Sequence, residues 1–339
     1  MRHSILRCLF VLLSVLACAG TLAQAASTGP STELRTGSGQ AYPSRPIRIV
    51  VPYTPGGFTD VTTRIVSVEL SKAVGQSVII DNRPGANSIV GVEIVAKSNP
   101  DGYTIAAIIP AHAANQTLYP KLPYHSVNSF APVSLAASAP LILCVTNSLP
   151  ARSVKELVAL AKSRPGKLSF ASSGVGASAH LSMELLMMMT GISMVHVPYK
   201  GTAPALVDLT SGQVQVMFDV PSSMLPHAKA GRIRALAMAS EKRYSAAPEL
   251  PTISESAVPG YASGSWVGFI APAGAPREAV ARLGKEIMNI VKRPDVRERF
   301  IEIGIEPVGN SPAEFTAFLK NEVSKWEKVI RTANVKIEQ

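Results

Sequence analysis

From Pro43 onward the chain alternates short apolar, β-branched runs with amphipathic stretches of helical period. That alternation confines it to α/β architectures and predicts a largely parallel sheet with helices on both faces. The runs read as strands over residues 47–52, 77–81, 104–109, 141–146, 168–171, 194–197, 214–218, 233–239 and 266–271. About ten strands in some 300 residues suit two lobes better than one sheet. With 339 residues, 47% of them hydrophobic and 17% charged, the chain can bury a sizeable core in each. No repeat at a period of roughly 20 to 50 residues is visible, which speaks against a solenoid.

Helix starts announce themselves by their caps. Ser153 followed by Glu156 forms a capping box ahead of Val154, Leu157, Val158 and Ala161, and Pro165-Gly166 stops that helix. Ser311, Pro312 and Glu314 repeat the device before Phe315, Leu319, Glu322 and Trp326. Val61, Ile65 and Val68 share one face of an earlier helix that Gly75 is placed to end. Met183, Met187, Met188 and Met189 read as core filler on a later one.

The amino-terminal segment has a different logic. Arg2 and Arg7 precede the apolar run CLFVLLSVLACAG, and Ala23-Gln24-Ala25 follows, the order of a secretory signal cut near Ala25. Gly20 breaks the run too early for a comfortable membrane span. A second processing route stays open, because Val15-Leu16-Ala17-Cys18 resembles a lipoprotein box that would leave Cys18 acylated. Residues 26–42 are Ser-, Thr- and Gly-rich and read as a flexible leader.

Of the three cysteines, only Cys144 lies outside the signal, so the exported chain has no internal disulfide and no cysteine-clustered metal site. Loss of Arg2 and Arg7 takes the formal charge from +10 to +8. The remaining basic residues are scattered, without the basic blocks or interleaved aromatics expected of a nucleic-acid partner.

Three stretches carry the chemistry. The first, IRIVVPYTPGGFTD over residues 47–60, runs strand, Pro-Gly-Gly turn, helix. It places free backbone N–H groups and a positive helix end at the carboxyl edge of the sheet, an anion site in outline. The plain alternative is a tight turn whose Thr59 and Asp60 cap their own helix. Asp60 favours the helix dipole but repels an anion at the same N–H groups, so it positions the helix and could meet only a ligand amine or hydroxyl. The second stretch, KLSFASSGVGASAHLSMELL, repeats the pattern with the hydroxyls of Ser172, Ser173 and Ser178 and the open backbone of Gly174 and Gly176. It imitates a dinucleotide fingerprint, but the following strand lacks the terminal acid that would hold a ribose. In the third stretch, Tyr199 and Asp219 fall at strand ends, where open α/β sheets meet ligands, and Lys200 reads as a solvated charge.

Catalytic constellations are poorly supported. Gly-x-Ser-x-Gly, His-Glu-x-x-His and a phosphate-binding Walker loop are all missing. His112, His125, His180, His196 and His227 are scattered without metal-ligand spacing. A hydrolase would have to use Ser172 or Ser178 with His180, and residues two apart on a helix do not face each other. No catalytic residue, cofactor or metal is expected.

Taken in order, YPSRPIRIVVPYTPGGFTD, DNRPGANSIVG, NPDGYT, LYPKLPY, FASSGVGASAHL, HVPYKGTAPALVDLTSGQVQVMFD and WVGFIAPAGAP resemble the Bug family, the substrate-binding proteins of tripartite tricarboxylate transporters. The resemblance covers nearly everything after Tyr42. It implies a type 2, two-lobed periplasmic binding protein, an α/β fold in which each lobe is a central β-sheet flanked by helices, closing like a flytrap. Lobe one would take residues 43–143 and 263–339, and lobe two residues 144–262. The implied ligand is a small organic carboxylate: a di- or tricarboxylate, an acidic amino acid or an aromatic acid. It would be held partly through waters by Tyr53, Gly56, Gly57, Phe58, Thr59 and Asp60 on one side. Ser172, Gly174, Gly176 and Ser178 would face them, with Tyr199 and Asp219 on the flank. The implied partners are membrane transporter subunits, and the implied location is the periplasm. A ligand sensor docking on a signalling receptor is the alternative. One departure is Ala177, where family members often carry Ser or Thr.

Overall fold

The computed structural model describes residues 42–199 and 201–336. The signal segment with Cys18 and Ala25, nearly all of the leader, and Lys200 lie outside the described residues. The strands are β1 Ile47–Val51, β2 Val78–Asn82, β3 Thr104–Ile108, β4 Phe130–Pro140, β5 Ile142–Thr146, β6 Ser169–Ser172, β7 Val195–Pro198, β8 Val216–Asp219, β9 Ile233–Met238, β10 Gly264–Pro272 and β11 Glu306–Pro307. The helices are α1 Phe58–Val74, α2 Ile89–Ala96, α3 Pro110–Leu118, α4 Val154–Ser163, α5 Ser178–Thr190, α6 Thr202–Ser211, α7 Pro221–Lys229, α8 Ile253–Ser256, α9 Arg277–Lys292, α10 Pro294–Glu302 and α11 Pro312–Ala333.

Two sheets result, ordered β11-β4-β10-β3-β1-β2 and β7-β6-β8-β5-β9. Both are mixed, which corrects the largely parallel sheet expected from the alternation. β1 runs parallel to β2 and β3, but β10 returns antiparallel between β3 and β4. In the second sheet β6 is parallel to β7 and β8, and β5 is antiparallel to β8 and β9. The antiparallel strands mark where the chain changes lobe. β4 ends at Pro140 and passes through the single residue Leu141 into β5 of the other sheet. β10 brings the chain back, paired with β4 from Gly264↔Pro140 to Pro272↔Phe130.

Each sheet is covered on both faces. One core packs Ile65, Val66 and Leu70 of α1 with Leu283, Ile287 and Ile290 of α9. The buried stripe of α1 therefore runs through Ile65, Val66 and Leu70, and Val68, expected on that stripe, is 50% exposed. A second core joins α2, α3 and α11 to α4 and α5 without a break between the sheets, and a third holds Ala205 and Leu209 of α6 against Met217 and Met224. Met183 is buried in this joint core, whereas Met189 is exposed.

Helix α11 starts at the anticipated Ser311–Glu314 capping box and lays Phe315, Leu319 and Trp326 inward. The same face carries buried Glu322, which accepts from Trp266 Nε1 and Trp326 Nε1, both at 2.9 Å, and pairs with Lys325 Nζ at 2.6 Å. A buried carboxylate is tolerated there because every oxygen has a donor. Among the described residues no helix is long and apolar enough to cross a membrane.

Candidate functional site

Because β1, β2 and β3 are parallel neighbours, the loops that follow them share one edge of the first sheet. The loops after β6, β7 and β8 share one edge of the second for the same reason. These two edges meet. A β-carbon placed on Gly176, in the loop after β6, would lie 2.9 Å from Leu118 Cδ1 of α3 and 3.2 Å from Asn87 Nδ2 in the loop after β2. Ligands of open α/β sheets sit beyond strand carboxyl ends, and here two such edges are apposed.

On the first edge, α1 begins directly after Gly57 with no side-chain cap, and its first internal bond runs from Val61 N–H to Gly57 O at 2.9 Å. The N–H groups of Phe58, Thr59 and Asp60 are left without helical partners. Around Gly56 there is open space, and Gly57 has only Thr54 O nearby, at 3.8 Å. Thr59 and Asp60 are buried and Phe58 half-buried, so Thr59 offers the edge backbone rather than hydroxyl.

Asp60 is committed to the loop itself. Its carboxylate accepts from Gly56 N–H (2.9 Å), Arg64 Nε (2.8 Å), Arg64 Nη2 (3.0 Å) and Asn82 Nδ2 (2.9 Å), while Asn82 Nδ2 also donates to Tyr53 O (3.1 Å). This ring ties the Pro-Gly-Gly turn to α1 and β2. Burial disfavours the charged carboxylate, but the Arg64, Gly56 and Asn82 bonds outweigh it and hold the pKa at about 2. The folded pKa lies below the ordinary 3.8, so the stabilisation is complete above that value and is lost as the pH falls from it through about 2. Asp60→Asn is expected to cost roughly 1.5–3 kcal/mol at neutral pH. Melting curves of both proteins from pH 7 to pH 2 check this: their separation should shrink in acid, and a constant separation would contradict the assignment.

On the second edge, α5 also begins uncapped, after Ala177. Ser172 is fully buried; its hydroxyl meets His196 Nε2 at 2.7 Å and donates to Gly174 O at 3.0 Å. Gly176 N–H donates to His180 Nδ1 (3.0 Å), which leaves His180 Nε2 as the proton-bearing nitrogen, 3.3 Å from Glu184 Oε1. The His180 and His196 rings stack at 3.8 Å between centroids, with Phe170 beyond His196 at 4.8 Å. Burial, then neighbouring His180, pushes the His196 pKa down to about 3, so this imidazole is neutral at pH 7. The pair thus pins the Gly-Val-Gly turn from behind. Spacing in the sequence could not reveal it, although Gly176 to His180 is the four-residue reach of a helix start.

The remaining expected contacts divide. Ser178 Oγ donates to Ser265 Oγ of β10 at 3.4 Å, at the root of the second edge. Tyr199 Oη donates to Asp208 Oδ2 at 2.6 Å, and burial followed by Asp208 pushes its phenol up to about 12. Asp219 accepts from Thr202 Oγ1 and Val220 N–H, both at 2.7 Å. Burial nonetheless raises its pKa. The Tyr199 and Asp219 side chains are therefore spent within their own lobe. The serine hydrolase arrangement also fails geometrically, because both His180 nitrogens are engaged elsewhere and Ser172 pairs instead with His196. Among the described residues no group of three or more His, Cys, Asp or Glu could hold a metal.

A cavity of about 570 Å³ is lined by Pro140, Lys242, Ser263, Trp266, Glu306 and Lys325 among others. It sits beside the crossing strands β4 and β10 and contains none of the twelve expected ligand contacts.

Residues 62–335 match the model of the tripartite tricarboxylate transporter family receptor. BugT of Bordetella pertussis is 34% identical over 302 residues, covering 88% of this chain and 93% of that one. Rpa4515 of R. palustris, solved with adipate, has a TM-score of 0.76 and 40% identity, covering 87% of this chain and 99% of that one. MatC of Rhodopseudomonas palustris, solved with bound malate, has a TM-score of 0.73 and 32% identity, covering 85% and 100%.

Proposed function

This chain belongs to the tripartite tricarboxylate transporter receptor family, and from that premise we infer that it is a solute-binding protein capturing a small organic carboxylate between its two lobes. It delivers the acid to the membrane subunits of such a transporter, works in the periplasm and does no chemistry on its ligand. The observation that carries this reading is a pair of uncapped helix starts, α1 and α5, each at the carboxyl edge of its own sheet, with the two edges in contact where Gly176 meets Leu118 and Asn87. A carboxylate placed there meets free N–H groups and two positive helix ends without needing an arginine. Phe58, Thr59 and the Gly57 backbone would serve one side, and the Gly174–Ser178 turn the other. Asp60, Ser172, Tyr199 and Asp219 would hold those loops in shape, and relatives solved with adipate and malate fit the same chemistry.

The energetics suffice. Micromolar affinity needs about 8 kcal/mol, and a hydrogen bond to a charged group contributes roughly 1.5–3 kcal/mol. Closure supplies the transport signal, since a membrane partner that binds only closed lobes reads occupancy.

The test is a thermal-shift series with mono-, di- and tricarboxylates, each beside its amide. An acid at 100 times its dissociation constant should add about 2.7 kcal/mol of stability, and its fully amidated counterpart should add almost none. Equal shifts from acid and amide, or no shift by any acid across a folded protein, would sink the carboxylate reading.

A further inference from the structure

The cavity of about 570 Å³ beside β4 and β10 has a chemistry of its own, and no residue of the loops after β1, β2, β3, β6, β7 or β8 lines it. It opens where the chain changes lobe. Pro140 ends β4, Trp266 lies on β10 and Glu306 on β11, all strands of the first sheet, while Ser240 and Lys242 follow β9 of the second. Small-molecule sites of roughly 300–1,000 Å³ favour such boundaries.

One wall is apolar. The rings of Trp266 and Phe318 meet edge to face with centroids 5.4 Å apart, and Leu135 and Val308 extend the surface they make. Trp266 keeps no donor for a ligand, because its Nε1 is spent on Glu322. The wall therefore offers ring faces and aliphatic carbon, which suit an apolar body and, at the rings, a cation.

The charged lining decides the rest. Glu322 and Lys325 satisfy each other at 2.6 Å, and Lys325 Nζ also lies 4.4 Å from the centre of the Trp326 ring. Glu241 and Lys242 are both exposed and opposite in sign. Glu306 is left over. It is half-buried on β11, and among the described residues its carboxylate has neither a hydrogen-bond donor nor an ion-pair partner. Burial raises its pKa, with Arg297 acting weakly the other way, the behaviour of a carboxylate that has lost water without gaining a cation. Three acids against two bases leave the lining negative in a chain whose formal charge is +10. An anion would meet Glu306 uncompensated, whereas an ammonium group would supply the partner it lacks.

We propose that this cavity is a second ligand site for a small organic amine, whose protonated nitrogen pairs with Glu306 and whose aromatic or aliphatic body lies on Trp266 and Phe318. It shares no residue with the proposed carboxylate contacts, so it stands or falls apart from them.

Titration calorimetry on the exported protein at pH 7 tests it with two amines and their neutral counterparts: tryptamine against tryptophol, and phenethylamine against 2-phenylethanol. At least one amine should bind ten times or more tighter than its alcohol. Glu306→Gln, which breaks no bond within the protein, should bring that amine to within threefold of the alcohol. Phe318→Ala should weaken amine and alcohol together by fivefold or more, with the melting temperature recorded for each variant. Gly57→Glu should bind the amine as the wild type does, which separates this cavity from the loop edges. Amine and alcohol binding equally to the wild type overturns the site, and that comparison needs no variant. A preference that survives Glu306→Gln, loss of the amine in Gly57→Glu, or no binding of either amine at millimolar concentration by the folded protein overturns it as well.

Discussion

Gly57→Glu abolishes carboxylate binding, by at least a hundredfold, while the melting temperature moves by no more than about two degrees. The two halves of this expectation have separate causes. Gly57 caps α1 at φ −81° and ψ 173°, an extended conformation open to any residue, and a β-carbon there meets only Thr54 O at 3.8 Å. The fold therefore accepts the new side chain. A glutamate at a helix start is favourable to the helix dipole and adds no strain. What it does is put a tethered carboxylate on the N–H groups of Phe58 and Thr59, where the ligand's own carboxylate is expected. A tethered group competes at a high effective concentration, and its charge repels the free acid besides. Calorimetric titration beside a melting curve checks both halves. Affinity within threefold of wild type would remove the Pro-Gly-Gly turn from the site. A large fall in melting temperature would show that Gly57 serves the fold.

How much of this could be read from the sequence follows from how local each signal is. The strands nearest the two loop edges and the caps at Ser153 and Ser311 were legible, because one residue and its neighbour three positions on define a cap. The longest strand, β4, was not. Its residues Phe130–Pro140 are mostly Ala, Ser and Pro, with prolines at both 132 and 140, a composition that argues against a central strand. It is tolerated because the β4–β10 pairing is irregular beside Ile270, the partner of Pro132, and because Pro140 is its last residue. Missing β4 also hid the mixed character of the first sheet. The glycine-rich turns at 56–57 and 174–176 were legible as possible cradles, since strand, small residues and helix follow one another directly. The roles of the side chains around them were not. Asp60 closes on Arg64 and Asn82, Tyr199 on Asp208, and Ser172 on a histidine 24 positions away. Such partners are set by register between strands, which no local pattern encodes.

The contact at Gly176 leads to the second large effect, a loss of closure without a loss of the lobes. Gly176→Val should weaken binding of any acid the protein takes by tenfold or more, and Leu118→Ala should restore part of it. Gly176 has φ +77°, and a β-carbon there would approach Leu118 Cδ1 to 2.9 Å and Asn87 Nδ2 to 3.2 Å, both from the opposite lobe. Valine brings two costs. The left-handed conformation costs roughly 1–3 kcal/mol for a non-glycine residue and is paid within the second lobe. The clash across the cleft is different, because parting the lobes relieves it entirely. Apparent affinity falls in proportion to the fraction of closed molecules, so every 1.4 kcal/mol taken from the closed state is a factor of ten. The double variant separates the two costs. Shortening Leu118 frees room across the cleft and leaves the backbone strain untouched, so a positive coupling in the cycle measures the cross-lobe term. X-ray scattering gives an independent reading: with saturating acid, Gly176→Val should keep a larger radius of gyration than wild type, and the double variant should fall between them. Additive effects and an unchanged radius would mean that Gly176 matters only to its own turn, where its N–H is held by His180, and that closure is governed elsewhere along β4 and β10.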